Sequence, residues 1–227
     1  MRLILGVIVT CLAAAPAAKA QVGALQSDCR LGGQQADGGY QFVATCAGRS
    51  KSPDGRYAVA QRSYRDAQPP IELQDARGRT LAQLPSLSDD MPFSVSWAPN
   101  SRWFFVNHHV GSFMDTLQVF EIVGGTAIER PALANAAVRL ATTRYPCLHP
   151  GWVHPNGVRW THDSRQIVLF TISASYACSE MTKRPGSWHS LWMIGDVTSG
   201  LIDPDSVRVQ SDNQPMQIPQ DDAYSRL

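Results

Sequence analysis

The chain has 227 residues, with 20 Lys and Arg set against 19 Asp and Glu and a formal net charge of +1. Balanced charge, with no basic stripe and no aromatic-basic interleaving, argues against nucleic acid as a partner, and no charge run asks for a membrane surface or an acidic partner. Apolar residues make up 44% of the sequence, enough for a core in one or two domains.

Residues 1–20 have the form of an export signal. Arg2 supplies the positive start, Leu3 to Ala15 the short apolar run, and Ala18-Lys19-Ala20 the small-x-small cleavage site. The run is shorter than the ~20 apolar residues of a membrane-spanning helix, and no second long apolar segment follows. Cys11 is a poor lipid anchor, because Thr10 precedes it and the apolar run continues past it. The expectation is cleavage after Ala20, a mature chain from Gln21, and a periplasmic or secreted location with no membrane span. Cys29, Cys46, Cys147 and Cys178 then remain, an even count that suggests two disulfides in an oxidising compartment. Of the three connectivities, the pairing of sequence neighbours, Cys29–Cys46 and Cys147–Cys178, is preferred. A cysteine metal site would need close pairs such as Cys-x-x-Cys, and there are none.

One phrase recurs along the chain. "SPDGRYAVA" begins at Ser52, "APNSRWFFV" at Ala98 and "THDSRQIVL" at Thr161. A second frame follows each: "LQDARGRT" from Leu73, "VFEIVGGT" from Val119 and, more loosely, "IGDVTSGL" from Ile194. Asp54 to Asp75 and Asn100 to Glu121 are both steps of 21 residues, and Asp163 to Asp196 is a step of 33. Two phrases at a fixed offset, in order, mean a duplicated unit. Asp-Gly, Asn-Ser and Asp-Ser accept tight-turn backbone and read as hairpins. "FSVSW" (93–97) is a strand before such a turn, and "WFFV" (103–106) and "IVLFTI" (167–172) are strands after it. The latter are continuously apolar, as for strands covered on both faces. "TLQVFEI" (116–122) is a third strand, and a fourth follows a tight Gly turn. Trp97 and Trp160 both stand three residues before the turn's Asn100 or Asp163 and read as packing residues between units. Between the second and third units, Pro131 opens a short helix, with Leu133, Ala137 and Leu140 on one stripe.

The "SPDGRYAVA" phrase resembles the repeat of TolB-like β-propellers, whose blades carry a Ser-Pro-Asp-Gly-Arg or -Lys hairpin followed by an apolar strand. Residues 98–106 match with Asn-Ser in place of Asp-Gly, and residues 161–169 match with His162 in place of Pro. The resemblance implies an all-β, propeller-like array of three to four four-stranded antiparallel blades, open or incomplete, in one domain over residues 21–227. Its units cover about 40–85, 92–130 and 157–210, and a polar tail covers 212–227. "YQFVATC" (40–46) and "SVRVQ" (206–210) could supply further strands. Such repeats serve binding scaffolds and peptidase appendages alike, so the resemblance speaks to fold and leaves activity open.

In a four-stranded blade, the turns between strands one and two and between strands three and four share one side. The connections at 62–70, 84–92, 108–115, 131–156 and 173–190 share the other. Loops held on a rigid scaffold are where binding residues gather. The candidates on that face are His108, His109, Asp115, His149, Trp152, His154, Tyr176, Trp188 and His189. No His-x-His or His-x3-His pair sits on one predictable element, and adjacent His108 and His109 would point to opposite sides of a strand, so no metal ligand set is assigned. Ser112, His109 and Asp115 lie close in sequence, but no Gly-x-Ser-x-Gly elbow occurs. The paired carboxylates at 89–90 and 221–222 are adjacent and read as solvated. The expectation is an exported, non-enzymatic module that contacts a protein or small ligand through the long-loop face, without a cofactor. The alternative is a metal-dependent or serine-type hydrolase on the same face.

Overall fold

The hairpin phrase folds through its own side chains. In the computed structural model, the Ser52 hydroxyl donates to Asp54 Oδ1 at 2.7 Å, and the same oxygen accepts from the Arg56 amide at 3.0 Å. Thr161 and Asp163 repeat this arrangement, at 2.6 Å for the hydroxyl and 3.0 Å for the Arg165 amide. In the middle unit Ala98 has no hydroxyl to give, and Asn100 Oδ1 alone accepts from the Arg102 amide, at 2.9 Å. A short polar side chain accepting from the amide two residues on is what closes such a turn.

The structure describes residues 32–34, 40–41, 48–61, 71–84, 93–111, 114–173, 189–210 and 217–225. The export signal, Gln21, Cys29, Cys46, Ser112, Tyr176, Cys178 and Trp188 lie outside these residues, as does most of the 62–70, 84–92 and 173–190 connections.

The described fold is mostly β. A small antiparallel pair, β1 (Gly32–Gln34) and β2 (Tyr40–Gln41), comes first. Three four-stranded antiparallel sheets follow, each with its strands side by side in chain order. Sheet I holds β3 (Gly48–Lys51), β4 (Tyr57–Gln61), β5 (Ile71–Asp75) and β6 (Thr80–Gln83). Sheet II holds β7 (Phe93–Trp97), β8 (Trp103–Gly111), β9 (Met114–Val123) and β10 (Thr126–Glu129). Sheet III holds β11 (Val153–Trp160), β12 (Gln166–Ser173), β13 (Ser190–Asp196) and β14 (Arg208–Gln210). The three expected units are therefore three sheets, and "SVRVQ" supplies the last strand of the third.

Consecutive sheets pack on one another. Val59, Ile71 and Leu73 of sheet I meet Trp97, Phe104, Val106 and Phe120 of sheet II. The alternate residues of sheet II, Trp103, Phe105, Leu117 and Val119, meet Trp160, Ile167 and Leu169 of sheet III. Both tryptophans fasten the sheets as well as filling space. Trp97 Nε1 donates to the Ser50 carbonyl at 3.2 Å, and Trp160 Nε1 donates to the Ser96 carbonyl at 3.1 Å. The expectation that they pack between units holds.

Helix α1 (Ala132–Arg144) joins sheets II and III, longer than the sequence suggested. Its buried stripe is Leu133, Ala137 and Ala141, with Leu140 only partly covered. These residues share a core with Leu117 and Val119 of sheet II and with Leu191 and Met193 of sheet III, so the helix touches both sheets. It can sit close because position 195 lacks a side chain: a Cβ there would fall 2.2 Å from Leu133 Cδ1.

Three expectations need correction. Residues 108–111 and 114–115, read as part of a loop, are the continued arms of β8 and β9, paired as far as Gly111 and Met114 with an irregularity between His109 and Gly111. His108, His109 and Asp115 are therefore strand residues; the apolar run of β8 continues through two histidines because their positions keep the ladder's backbone bonds. His154 and Pro155, expected in a connection, belong to β11, which starts at Val153. Proline is tolerated there because β11 is an edge strand. Finally, the connection between the third and fourth strands is not tight in sheet III. It runs from Val197 to Val207 through a one-turn helix at Pro204–Ser206.

Candidate functional site

Antiparallel order puts the turns at 52–56, 75–79, 98–102, 124–125 and 161–165, together with the 197–207 connection, at one end of the sheets, and Gly111, Met114 and the start of β11 at Val153 at the other. The turn end is closed by contacts between sheets. The Asp54 amide donates to Ser101 Oγ at 3.0 Å, and the Asn100 amide donates to Ser164 Oγ at 2.9 Å. Buried Glu121 accepts from Arg102 Nε and Arg130 Nε, both at 3.0 Å. Burial works to raise its pKa, but the two guanidinium groups outweigh that and hold it below the ordinary carboxylate value.

At the opposite end, His108 is 3% exposed and pairs with Phe93 and Thr116 across the strands. That register sets it on the face toward sheet I. Position 109 is paired with Asp115, and Asp115 alternates with Leu117 and Val119 on the face toward sheet III. Across that junction lies His154, 7% exposed, whose Nε2 has no hydrogen-bond partner among the described residues. Burial pushes the His154 pKa below the ordinary histidine value, and the charge of Asp115 pulls weakly the other way.

Asn107 holds this junction together. Its Nδ2 donates to the Gly157 carbonyl at 2.7 Å, and its Oδ1 accepts from the Gly157 amide at 2.8 Å. One side-chain amide thus pairs with β11 as a strand would, at the irregularity between Gly157 and Arg159. Gly157 permits the approach, since a Cβ there would lie 2.8 Å from the Phe105 ring. Sequence reasoning passed over Asn107. Its signal was a lone amide within the otherwise apolar "WFFVN" run.

The other expected residues are spread along the same end. His149 is exposed, caps the short turn at Pro150–Trp152 by accepting from the Gly151 amide at 3.1 Å, and leans on Trp152 with rings 6.2 Å apart. Trp152 is 41% exposed. His189 stacks on Tyr145 at 4.2 Å, and its carbonyl accepts from the Ser173 hydroxyl at 2.5 Å. Cys147 is exposed and disulfide-bonded, while the other cysteines fall outside the described residues. The end therefore brings Asp115 and His154 into electrostatic contact and pairs His149 with Trp152 and Tyr145 with His189. It does not gather the histidines at one point: among the described residues no group of three or more His, Cys, Asp or Glu could hold a metal ion.

Two clefts at the turn end were not foreseen. One, of about 350 Å³, is lined by Arg56, Asp75, Ala76, Arg77 and Arg79. The other, of about 690 Å³, lies between the 161–166 hairpin, the 203–205 turn and the C-terminal segment, with Asp163, Asp203, Asp205 and Asp222 on its walls. Their rims carry exposed ion pairs, such as Arg56 with Asp54 at 2.5 Å and Arg79 with Asp75 at 3.1 Å. Exposed pairs of this kind contribute little to stability.

No family model, curated protein or solved structure matches this chain. Among the described residues no helix is long and apolar enough to cross a membrane.

Proposed function

We propose that the chain is an exported, non-enzymatic interaction module built on TolB-like, propeller-type repeats, and that it contacts a protein or small ligand at the end opposite the tight turns. The contrast between the two ends carries this reading. At the turn end, backbone amides and repeat side chains are used to fasten one sheet to the next. The opposite end presents Trp152 at 41% exposure, beside His149 and near the Tyr145–His189 stack, on connections held by α1 and β11. Aromatic side chains on a fixed frame bring large contact area at low entropic cost, which suits recognition. The export signal and the Cys147–Cys178 pairing belong to the same proposal, since a disulfide across the long connections would hold them in an oxidising compartment.

The test is capture of a binding partner from the exported fraction by the wild type and by two surface variants, Trp152→Ala and Arg77→Ala. The expected result is that Arg77→Ala retains the partner and Trp152→Ala loses it, with both melting within a few degrees of the wild type. Retention by Trp152→Ala together with loss by Arg77→Ala would move the site to the turn end and overturn the assignment. N-terminal sequencing of exported material tests the export signal, with Gln21 as the expected first residue.

A further inference from the structure

Sheets I and II each bury an apolar face on the sheet that follows. Among the described residues no sheet follows sheet III. Its outward face of Val158, Val168, Phe170, Trp192 and Ile194 is covered instead by the C-terminal segment, with Tyr224 buried and Ile218 and Ala223 packed beside it. Tyr224 is 2% exposed, and its hydroxyl donates to the Ser206 carbonyl at 2.7 Å. Its carbonyl accepts from Arg159 Nη2 at 3.3 Å, and Arg208 Nε donates to Asp221 Oδ2 at 2.6 Å.

This cover is slight. Its helix α2 (Asp222–Ser225) has four residues, and the amides of Tyr224 and Ser225 both bond to the carbonyl of Asp221 just before it. A single turn does not persist on its own in water, so docking of the Tyr224 ring is what orders it. The Arg208–Asp221 pair adds little, because both side chains are 38% exposed. Beneath the segment lies a face of the kind this chain elsewhere buries against another sheet, including the Phe170 and Trp192 rings 4.5 Å apart.

We propose that residues 217–225 form a detachable strap, and that the face beneath it is a self-association surface taken by the same face of a second copy when the strap lifts. A second copy fits because the face is apolar across its centre, its cations Arg159 and Arg208 stand on the edge strands β11 and β14, and such a face can be self-complementary about a two-fold axis. The two sheet-on-sheet contacts within the chain show the packing that such a face accepts. Left open to water, a surface with Trp and Phe at its centre would be an association site in any case. The proposal does not depend on the function assigned to the opposite end.

Amide exchange of the unmodified full-length protein is the first measurement. The Tyr224 and Ser225 amides are expected to exchange at least ~10-fold faster than those of Val168 to Phe170, as for a locally opening unit. The second is sedimentation of full-length Tyr224→Ala over rising concentration. It should pass from monomer to dimer while the wild type stays monomeric, and an excess of a peptide spanning residues 217–225 should return it to monomer. Strap amides that exchange only together with β12 in the unmodified protein would overturn the proposal, whether or not Tyr224→Ala folds. So would a variant with an unprotected strap that stays monomeric throughout, or a wild-type dimer whose strap remains protected.

Discussion

The backbone amide of Asp54 donates to the hydroxyl of Ser101, 47 residues away, at 3.0 Å. The pair recurs one unit on, between Asn100 and Ser164 at 2.9 Å. Both serines sit in left-handed backbone, with φ of 59° and 63°, where Gly55 stands in the first unit at 71°. A non-glycine residue there is strained by about 1–2 kcal/mol. What the serine contributes in return is an acceptor that ties its own turn to the preceding sheet. Among the described residues no four-stranded sheet precedes the first unit, and its turn carries glycine.

Ser101→Ala keeps the strain and removes the acceptor, leaving the Asp54 amide without it. A loss of about 1 kcal/mol is expected. Ser101→Gly removes the acceptor but also the strain, and should fall closer to neutral. Gly55→Ala should cost about 1 kcal/mol through backbone strain alone, because its Cβ would meet nothing within 4 Å. Chemical denaturation of the three variants checks the order. If Ser101→Gly proved as destabilising as Ser101→Ala, strain at that position would be irrelevant.

The two indole bonds should behave alike. Trp97→Phe and Trp160→Phe keep a ring in the sheet junction but remove the indole donor from the Ser50 and Ser96 carbonyls. Each is expected to cost about 1 kcal/mol for the lost hydrogen bond, with some further loss of packing. Equal losses in equilibrium unfolding would mark them as the same joint used twice. A neutral result at either would mean that water replaces the indole there.

Much of this frame was legible in the sequence because it is local. The Ser-x-Asp and Thr-x-Asp turns, the apolar strands behind them, and tryptophans at a fixed distance are contained in short windows, so repetition could reveal them. What escaped is non-local. Nothing near Gly195 announces that Leu133, more than sixty residues earlier, will press on it. Nothing in "HHVG" shows that β8 continues through it, since histidine is ordinary in loops and the deciding fact is the ladder to Asp115 and Met114. At the candidate site, the grouping of His154 with Asp115 arises from sheet packing, whereas the His149 cap lies within three residues and follows from local turn chemistry.

His154 should make the fold acid-sensitive. Its folded pKa lies below the ordinary 6.5, so the unfolded chain binds the proton more readily. Stability is then full above the unfolded value and is lost as pH falls from about 6.5 through the folded pKa. Glu121 and Asp54, both held below the usual carboxylate values, stay ionised in the upper part of that window and do not mimic the effect. Melting temperature should therefore drop between pH 7.5 and pH 5.5 in the wild type, and drop less in His154→Gln. A variant that retains the full slope would assign the sensitivity to another group.

The seat of α1 can be tested by a paired substitution. Gly195→Ala places a Cβ 2.2 Å from Leu133 Cδ1, and Leu133 is 1% exposed, so neither side can give way without moving the helix. Overpacking of a tight core of this kind typically costs about 1–3 kcal/mol. Leu133→Ala alone empties a buried site and should cost about 2–5 kcal/mol. In the double variant the added methyl enters the space that the leucine vacated, so the combined loss should be smaller than the sum by at least about 1 kcal/mol, as expected for residues in direct contact. Urea unfolding of the wild type, both single variants and the double variant gives that coupling directly. Strict additivity would mean that α1 does not rest on β13 at Gly195, and that sheets II and III are held together by the Trp160 and Asn107 contacts without it.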